Sequence, residues 1–344
     1  SVTAEVVARG FSFVNDDSYD PRLEWFFASY ELTPEWRMRV GRLRTPHYLF
    51  SESLEIGYSY PWVRPPNDMY VSFLEPFSHF YGADLTWQHA FGSVDSDFKI
   101  LYGKTSGKFS GIDIDVNKTY GVATKARWND FTLRYALNVN QVNLTLPQAE
   151  QATQYFTLAS NVNPVFSGLD RFFYDDERLF KYHGLGFQWE HDNWNFTAER
   201  FLFQGPQKQF SFNSDGWYLS LGWQWRKWMP YGVLGQYQAK MDPDMVNQFR
   251  QTYTAYPYNP ADSISQLIEV VRTTAISELS KRNARQHTQT LGIRYDFYTN
   301  MDLKLELQRF EFFDHTTGQI FSQTTPDKNP GIAVLTTFVL DVVF

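Results

Sequence analysis

Apolar and polar positions alternate with a period of two along most of this chain. In "FTLRYALNV" one face carries Phe131, Leu133, Tyr135, Leu137 and Val139, and the other Thr132, Arg134, Ala136 and Asn138. "WYLSLGWQW" (217–225) and "LGIRYDF" (291–297) divide in the same way. The pattern predicts strands at about 2–13, 22–32, 35–43, 80–91, 96–104, 117–128, 130–142, 180–191, 193–203, 215–225, 229–240, 287–298, 301–312 and 331–344. Tight turns ("LTPEW", "GSVDSD", "WND", "HDNW", "RKWMP", "YTNM") alternate with longer connections near 14–21, 44–79, 105–116, 143–179, 204–214, 241–286 and 313–330. That layout predicts an all-β fold: one transmembrane antiparallel up-and-down barrel spanning 1–344, with short turns at one end and long extracellular loops at the other.

Alternation alone also suits a soluble sandwich, so the placement of aromatics matters more. The 344 residues include 31 Phe, 21 Tyr and 11 Trp, and these crowd the tight turns: Trp36, Phe91 with Phe98, Trp128 with Phe131, Trp189 with Trp194, Trp225 with Trp228, and Phe297 with Tyr298. Amphipathic rings belong at the boundary between hydrocarbon and water. The closing "VLTTFVLDVVF" sets Phe338, Leu340, Val342 and Phe344 on one outward face. Mean hydropathy is −0.43, and no apolar run approaches the ~18 residues of a membrane helix. A barrel strand needs only about ten alternating residues, so this does not exclude a membrane.

Charge points to the same inside and outside. The polar faces carry Arg9, Arg37, Arg39, Lys99, Lys125, Arg127, Arg134, Arg294 and Lys304. A cation facing lipid at the midplane costs roughly 2–4 kcal/mol, so these side chains are expected to face a wet lumen rather than a packed core. Cysteine is absent, which rules out disulfides and thiolate metal sites. A net charge of −7 argues against a nucleic-acid partner.

Three features together resemble the general porins of bacterial outer membranes: the strand "RMRVGRLR" (37–44), the long loop "TPHYLFSESLEIGYSYPWVRPPNDMYVSFLEPFSHF" (45–80) behind it, and the strand ending at Phe344. The resemblance implies a passive channel for small hydrophilic solutes in the bacterial outer membrane. It would be a homotrimer surrounded by lipid and lipopolysaccharide, with neither cofactor nor enzymatic activity. That family has sixteen strands with the constriction loop after the fifth. About fourteen are visible here, with the loop (44–79) after the third, as expected if two strands precede Ser1; a true fourteen-strand barrel is the alternative. By the same resemblance, the loop carboxylates Glu52, Glu55, Asp68 and Glu75 face wall arginines Arg37, Arg39 and Arg42. Opposed charges across a narrow throat create a transverse field that sorts ions and orients solutes. Strict alternation sends Arg42 outward unless Gly41 hosts a bulge.

The clustered inward cations favour anions or carboxylate-bearing solutes; the plainer reading is that they keep the pore wet. Tyr58, Tyr60, Trp62 and Tyr70 in the loop suit either an aromatic track for sugars or packing of the loop against the wall. "SISQLIEVVRTTAISELSK" (263–281) has the three-and-four spacing of an amphipathic helix within the 241–286 loop. The 143–179 loop ends with Asp170, Asp175, Asp176 and Glu177, a weak candidate for Ca²⁺ against plain solvated charge. "DIDVNK" (113–118) lacks the glycine and closing glutamate of a calcium loop. An outer-membrane hydrolase finds no G-x-S-x-G here. A soluble carbohydrate-binding β-protein would stay dispersed without detergent.

Overall fold

The computed structural model describes residues 1–8, 21–70, 74, 77–109, 112–145, 149–169, 178–206, 212–241, 243–280, 284–313 and 331–343. Arg9, Glu75, Phe344 and the candidate calcium residues Asp170, Asp175, Asp176 and Glu177 lie outside the described residues. Fourteen strands form one sheet: β1 (Val2–Ala8), β2 (Pro21–Glu31), β3 (Trp36–Arg44), β4 (His79–Phe91), β5 (Val94–Phe109), β6 (Ile112–Trp128) and β7 (Phe131–Thr145), then β8 (Arg178–His191), β9 (Trp194–Gln204), β10 (Phe212–Trp223), β11 (Trp228–Met241), β12 (Ala284–Tyr298), β13 (Met301–Phe312) and β14 (Ile332–Val342). Each lies beside its neighbour in sequence, and every pairing is antiparallel, as an up-and-down meander requires.

All fourteen predicted strands are present. The main difference is at β5 and β6, whose ladder runs on to Phe109 and Ile112 through the loop expected at 105–116. Beyond the apolar belt a strand no longer needs a greasy face, so "KTSGKF" does not show the alternation that marks the rest. The discounted "DIDVNK" accordingly belongs to β6.

Tight turns reverse through residues with left-handed backbone: Gly92 (φ 63°), Asn129 (49°), Asp192 (51°) and Asn300 (61°). Gly, Asn and Asp adopt that region most readily. Arg226 (φ 56°) occupies the same position without that advantage.

The predicted helix is present as α3 (Ser263–Ser280), with α1 (Ala149–Val162) and α2 (Pro243–Ala255) in addition. Arg272 of α3 donates to the carbonyls of Thr252 (3.1 Å) and Tyr256 (2.8 Å) within the loop between β11 and β12, and Asn163, just after α1, donates to Ala255 O (3.3 Å), joining that loop to the one between β7 and β8. No helix among the described residues is long and apolar enough to cross a membrane.

On the outer face the expected aromatic girdle links many neighbouring strands through ring contacts. Trp36 stacks on Trp87 (5.9 Å), Trp87 on Phe98 (5.6 Å), and Trp128 on Phe131 (6.0 Å). Phe131, Phe187 and Phe196 follow, then Trp194 with Trp223 and Trp228 with Tyr295. All sit near the tight-turn ends. Above them Leu133, Leu185, Leu221, Leu234 and Leu291 are exposed.

On the inner face a single loop, residues 45–70, meets most of the wall. His47 O accepts from Tyr182 of β8 (3.0 Å), and Leu49 N donates to Glu199 of β9 (2.6 Å). Trp62 reaches Ser220 of β10 (2.9 Å), Gly57 O accepts from Lys304 of β13 (2.7 Å), and Arg64 donates to Thr337 of β14 (2.8 Å). A loop that touches strands from β3 to β14 fixes the curvature: the sheet bends around it. The expectation of a wholly wet lumen therefore needs correction. Tyr48, Tyr60, Trp62, Met69, Leu74 and Phe77 pack with Phe180, Tyr182, Phe201, Tyr218 and Tyr231 into a hydrophobic core inside the wall.

Candidate permeation site

Beside that core a cavity of about 410 Å³ remains between the loop and strands β3 to β7. Antiparallel register places like-facing residues of successive strands side by side, and two lateral rows result. Arg37 pairs with Thr86, and Thr86 with Lys99. In the next row Gln88 pairs with Asp97, Asp97 with Lys125, and Lys125 with Arg134. Arg37, Lys99, Lys125, Arg127 and Arg134 line the cavity together with Glu52 and Asp97.

Glu52 bridges loop and wall. Its Oε1 accepts from Lys99 Nζ (3.0 Å) and Arg39 Nη2 (3.3 Å), and its side chain is 56% exposed. The Lys99 charge, with help from Arg39, holds this carboxyl down at about 2. Arg39 is itself clamped to Asp84 of β4, Nε to Oδ1 at 3.0 Å and Nη2 to Oδ2 at 2.6 Å, a two-pronged geometry that fixes the guanidinium plane.

Arg42 does not line the pore. Gly41 takes a φ of +144°, yet Arg42 stays on the outer face, donating to Tyr81 Oη (2.7 Å) and Glu24 O (3.1 Å). Alternation runs unbroken through Gly41 to Leu43, and at the end of the strand Arg44 is buried as well. Arg44 Nη2 lies 3.6 Å from both Glu24 and Glu55, and its guanidinium sits over the Trp25 ring. Thus Glu55 meets Arg44, a residue that strict alternation assigned to the wrong side.

The remaining predicted residues hold the loop in place. Arg134 donates to the carbonyls of Pro46 (2.5 Å) and His47 (3.1 Å). Arg294 holds Tyr58 O (2.9 Å) and Tyr60 O (3.2 Å), and pairs with Asp296 and Asp302. Lys304, fully buried, pairs with Asp341 at 2.8 Å. Asp68 turns away from the cavity and accepts from Gln286 Nε2 (3.1 Å) and Thr288 Oγ1 (2.9 Å). Burial pushes its carboxyl up to about 6. Two wall glycines admit it: a Cβ on Gly216 would stand 1.9 Å from Asp68 O, and one on Gly235 would stand 2.3 Å from Asp68 Oδ2.

Of the rings suggested as a track, Trp62 and Tyr60 are buried, stacked on each other at 6.0 Å. Tyr58 lies under Arg294, and Tyr70 donates to Glu199 (2.6 Å), which Tyr218 also reaches (2.8 Å). Sequence reasoning missed Glu199; its one signal was an acid on the inward side of β9, between Thr197 and Phe201.

Over 93% of its length the chain superposes on 78% of OmpF from Salmonella typhi, solved as a complex with daunomycin, at 11% identity and a TM-score of 0.50. Its fold is that of the outer-membrane porins. The channel DcaP of Acinetobacter baumannii matches 91% of the chain over 75% of its own length, at 10% identity and TM-score 0.48. OmpT of Vibrio cholerae, folded in vitro in a trimer form, matches 86% over 72%, at 7% identity and TM-score 0.47. No family model matches the sequence. No curated protein matches it either. A porin fold with a loop folded into its interior matches the geometry above: a wall wet on one side of the loop and sealed on the other.

Proposed function

We propose that this chain is a passive diffusion channel of a bacterial outer membrane, conducting small hydrophilic solutes and favouring anions or carboxylate-bearing ones. The observation that carries the reading is the cavity between loop and β3–β7, where five wall cations face two carboxylates. Of those acids, Glu52 is engaged by Lys99 and Arg39, and Asp97 lies 3.5 Å from Arg127. The surplus positive charge lies in a narrow passage with low-dielectric walls, which raises the local concentration of anions. Transport of this kind uses the solute gradient and needs no cofactor. The same resemblance suggests a homotrimer embedded in lipid and lipopolysaccharide, with Ala4 and Val6 of β1 on its outward surface. Planar-bilayer recording in a salt gradient tests the channel reading. A reversal potential on the anion side, with conductance lowered by small dicarboxylates, is the expected result; cation selectivity or no conductance overturns it.

A further inference from the structure

The five cations that line the cavity differ in how fully they are engaged. Lys99 is held by Glu52 at 3.0 Å, and Arg127 lies 3.5 Å from Asp97. Arg134 donates to the carbonyls of Pro46 and His47. Arg37 and Lys125 are different: among the described residues neither side chain makes a hydrogen bond or an ion pair. Arg37 Nε is buried without a partner.

Arg37 sits directly opposite Thr86 in the ladder. Thr86 is 2% exposed, lines the same cavity, and its Oγ1 has no partner. Side chains directly opposite have Cβ atoms about 5 Å apart, so a guanidinium N–H and a hydroxyl stand together as two donors without an acceptor. A buried donor left unpaired is costly, and a carboxylate can satisfy both. Lys125 has a surplus for another reason. It lies directly opposite Arg134 and two residues from Arg127 on the same face. Asp97, its other cross-strand neighbour, is already engaged by Arg127 and by Gln88 Nε2 at 3.1 Å. Like charges side by side repel, and an anion relieves that repulsion.

We propose that Arg37, Thr86 and Lys125 form a two-point site for an extended dicarboxylate, one carboxylate resting on the Arg37–Thr86 pair and the other on Lys125. The two points belong to β3 with β4 and to β6. At about 4.8 Å per strand, the backbones of Arg37 and Lys125 are roughly 14 Å apart across the sheet. Two long side chains leaning into a concave wall narrow that gap. The uncharged Ala123 lines the cavity between them, next to Lys99 in the ladder, so a compact anion reaches one point but not both. The guanidinium fork suits a planar carboxylate, and the ammonium is a point charge that takes the second. The proposal rests on the channel reading of this cavity and replaces a general preference for anions with a preference for two charges at a set spacing.

The test is isothermal titration calorimetry of the purified protein in detergent, with succinate, butyrate and inorganic phosphate as probes. Single-channel conductance is recorded on the same samples. Succinate and butyrate have the same chain length and differ by one carboxylate. The wild type is expected to bind succinate about tenfold more tightly than butyrate or phosphate, a comparison that needs no variant to fold. Arg37→Gln and Lys125→Gln are each expected to lower succinate affinity about tenfold, to the level of butyrate. The double variant is expected to lose little more, because losing either end breaks the bridge, and Lys125→Arg, which keeps the charge, to retain binding. Equal binding of succinate and butyrate, or losses that add in full in the double variant, overturns the two-point site whatever the conductance. Succinate binding with no conductance in any sample sinks the channel reading and leaves the site standing, so the two failures are distinguishable.

Discussion

At the scale of single residues, two loop carboxylates with opposite environments make opposite predictions. Glu52, held at about 2 by Lys99 and Arg39, stays ionised across ordinary pH. Ion selectivity of the wild type is therefore expected to be flat from about pH 8 to pH 4, and Glu52→Gln to move the reversal potential further toward anions. A selectivity midpoint near pH 4.5 in the wild type would contradict the pairing. Asp68 behaves inversely. Its folded value of about 6 lies above its ordinary 3.8, so the folded state holds the proton more tightly than the unfolded chain does. Stability is then expected to fall as pH rises from about 4 through about 6, by on the order of 2–3 kcal/mol. Asp68→Asn, which keeps the shape and removes the charge, is expected to flatten that slope. Thermal unfolding in detergent from pH 4 to pH 8 measures both.

Individual elements show which parts of the sequence could be interpreted directly. The strands were legible because lipid outside and loop or water inside enforce a strict two-residue period, as in "FTLRYALNV". Where one of those pressures ends, so does the signal: β5 runs past the belt through "KTSGKF" with polar residues on both faces, and at the loop end of β3 alternation holds through Leu43 but not at Arg44, which meets the loop in place of Arg42. The cavity's cations, Arg37, Lys99, Lys125 and Arg127, could be read from alternation alone. The anchoring roles of Arg134, Arg294, Lys304 and Asp68 could not, since they depend on where a loop distant in sequence comes to rest. Turn chemistry makes its own prediction. Arg226 pays for a left-handed backbone that Gly, Asn and Asp adopt more cheaply at the equivalent positions. Arg226→Gly is expected to raise stability by up to about 1 kcal/mol, whereas Arg226→Ala gains nothing; denaturant midpoints for the two variants decide it. On β10, Gly216→Ala would drive a methyl into Asp68 O and is expected to cost roughly 1–3 kcal/mol, with conductance rising as the loop lifts.

Across the whole molecule the interior is divided rather than open. Among the described residues, one side of the loop is a packed aromatic core and the other a charged cavity, so the loop divides the interior. Replacing residues 57–68 by a short Gly-Ser link is expected to raise single-channel conductance several-fold and to weaken selectivity, because the sealed half would flood. Unchanged conductance would mean that ions already bypass the partition.

The loop's seat on β14 also constrains how the molecule is put together. Residues 57 to 64 find Asp341 and Thr337 only near the far end of the chain: a Cβ at Gly57 would fall 2.2 Å from Asp341 Oδ1, and Arg64 bonds Thr337. More than two hundred residues therefore have to be delivered before an early segment can lock into place, a long-range closure of the kind that slows folding. Until β14 arrives, the 57–64 stretch lacks its Asp341 and Thr337 contacts, so this part of the loop is fastened late although its other anchors lie on earlier strands.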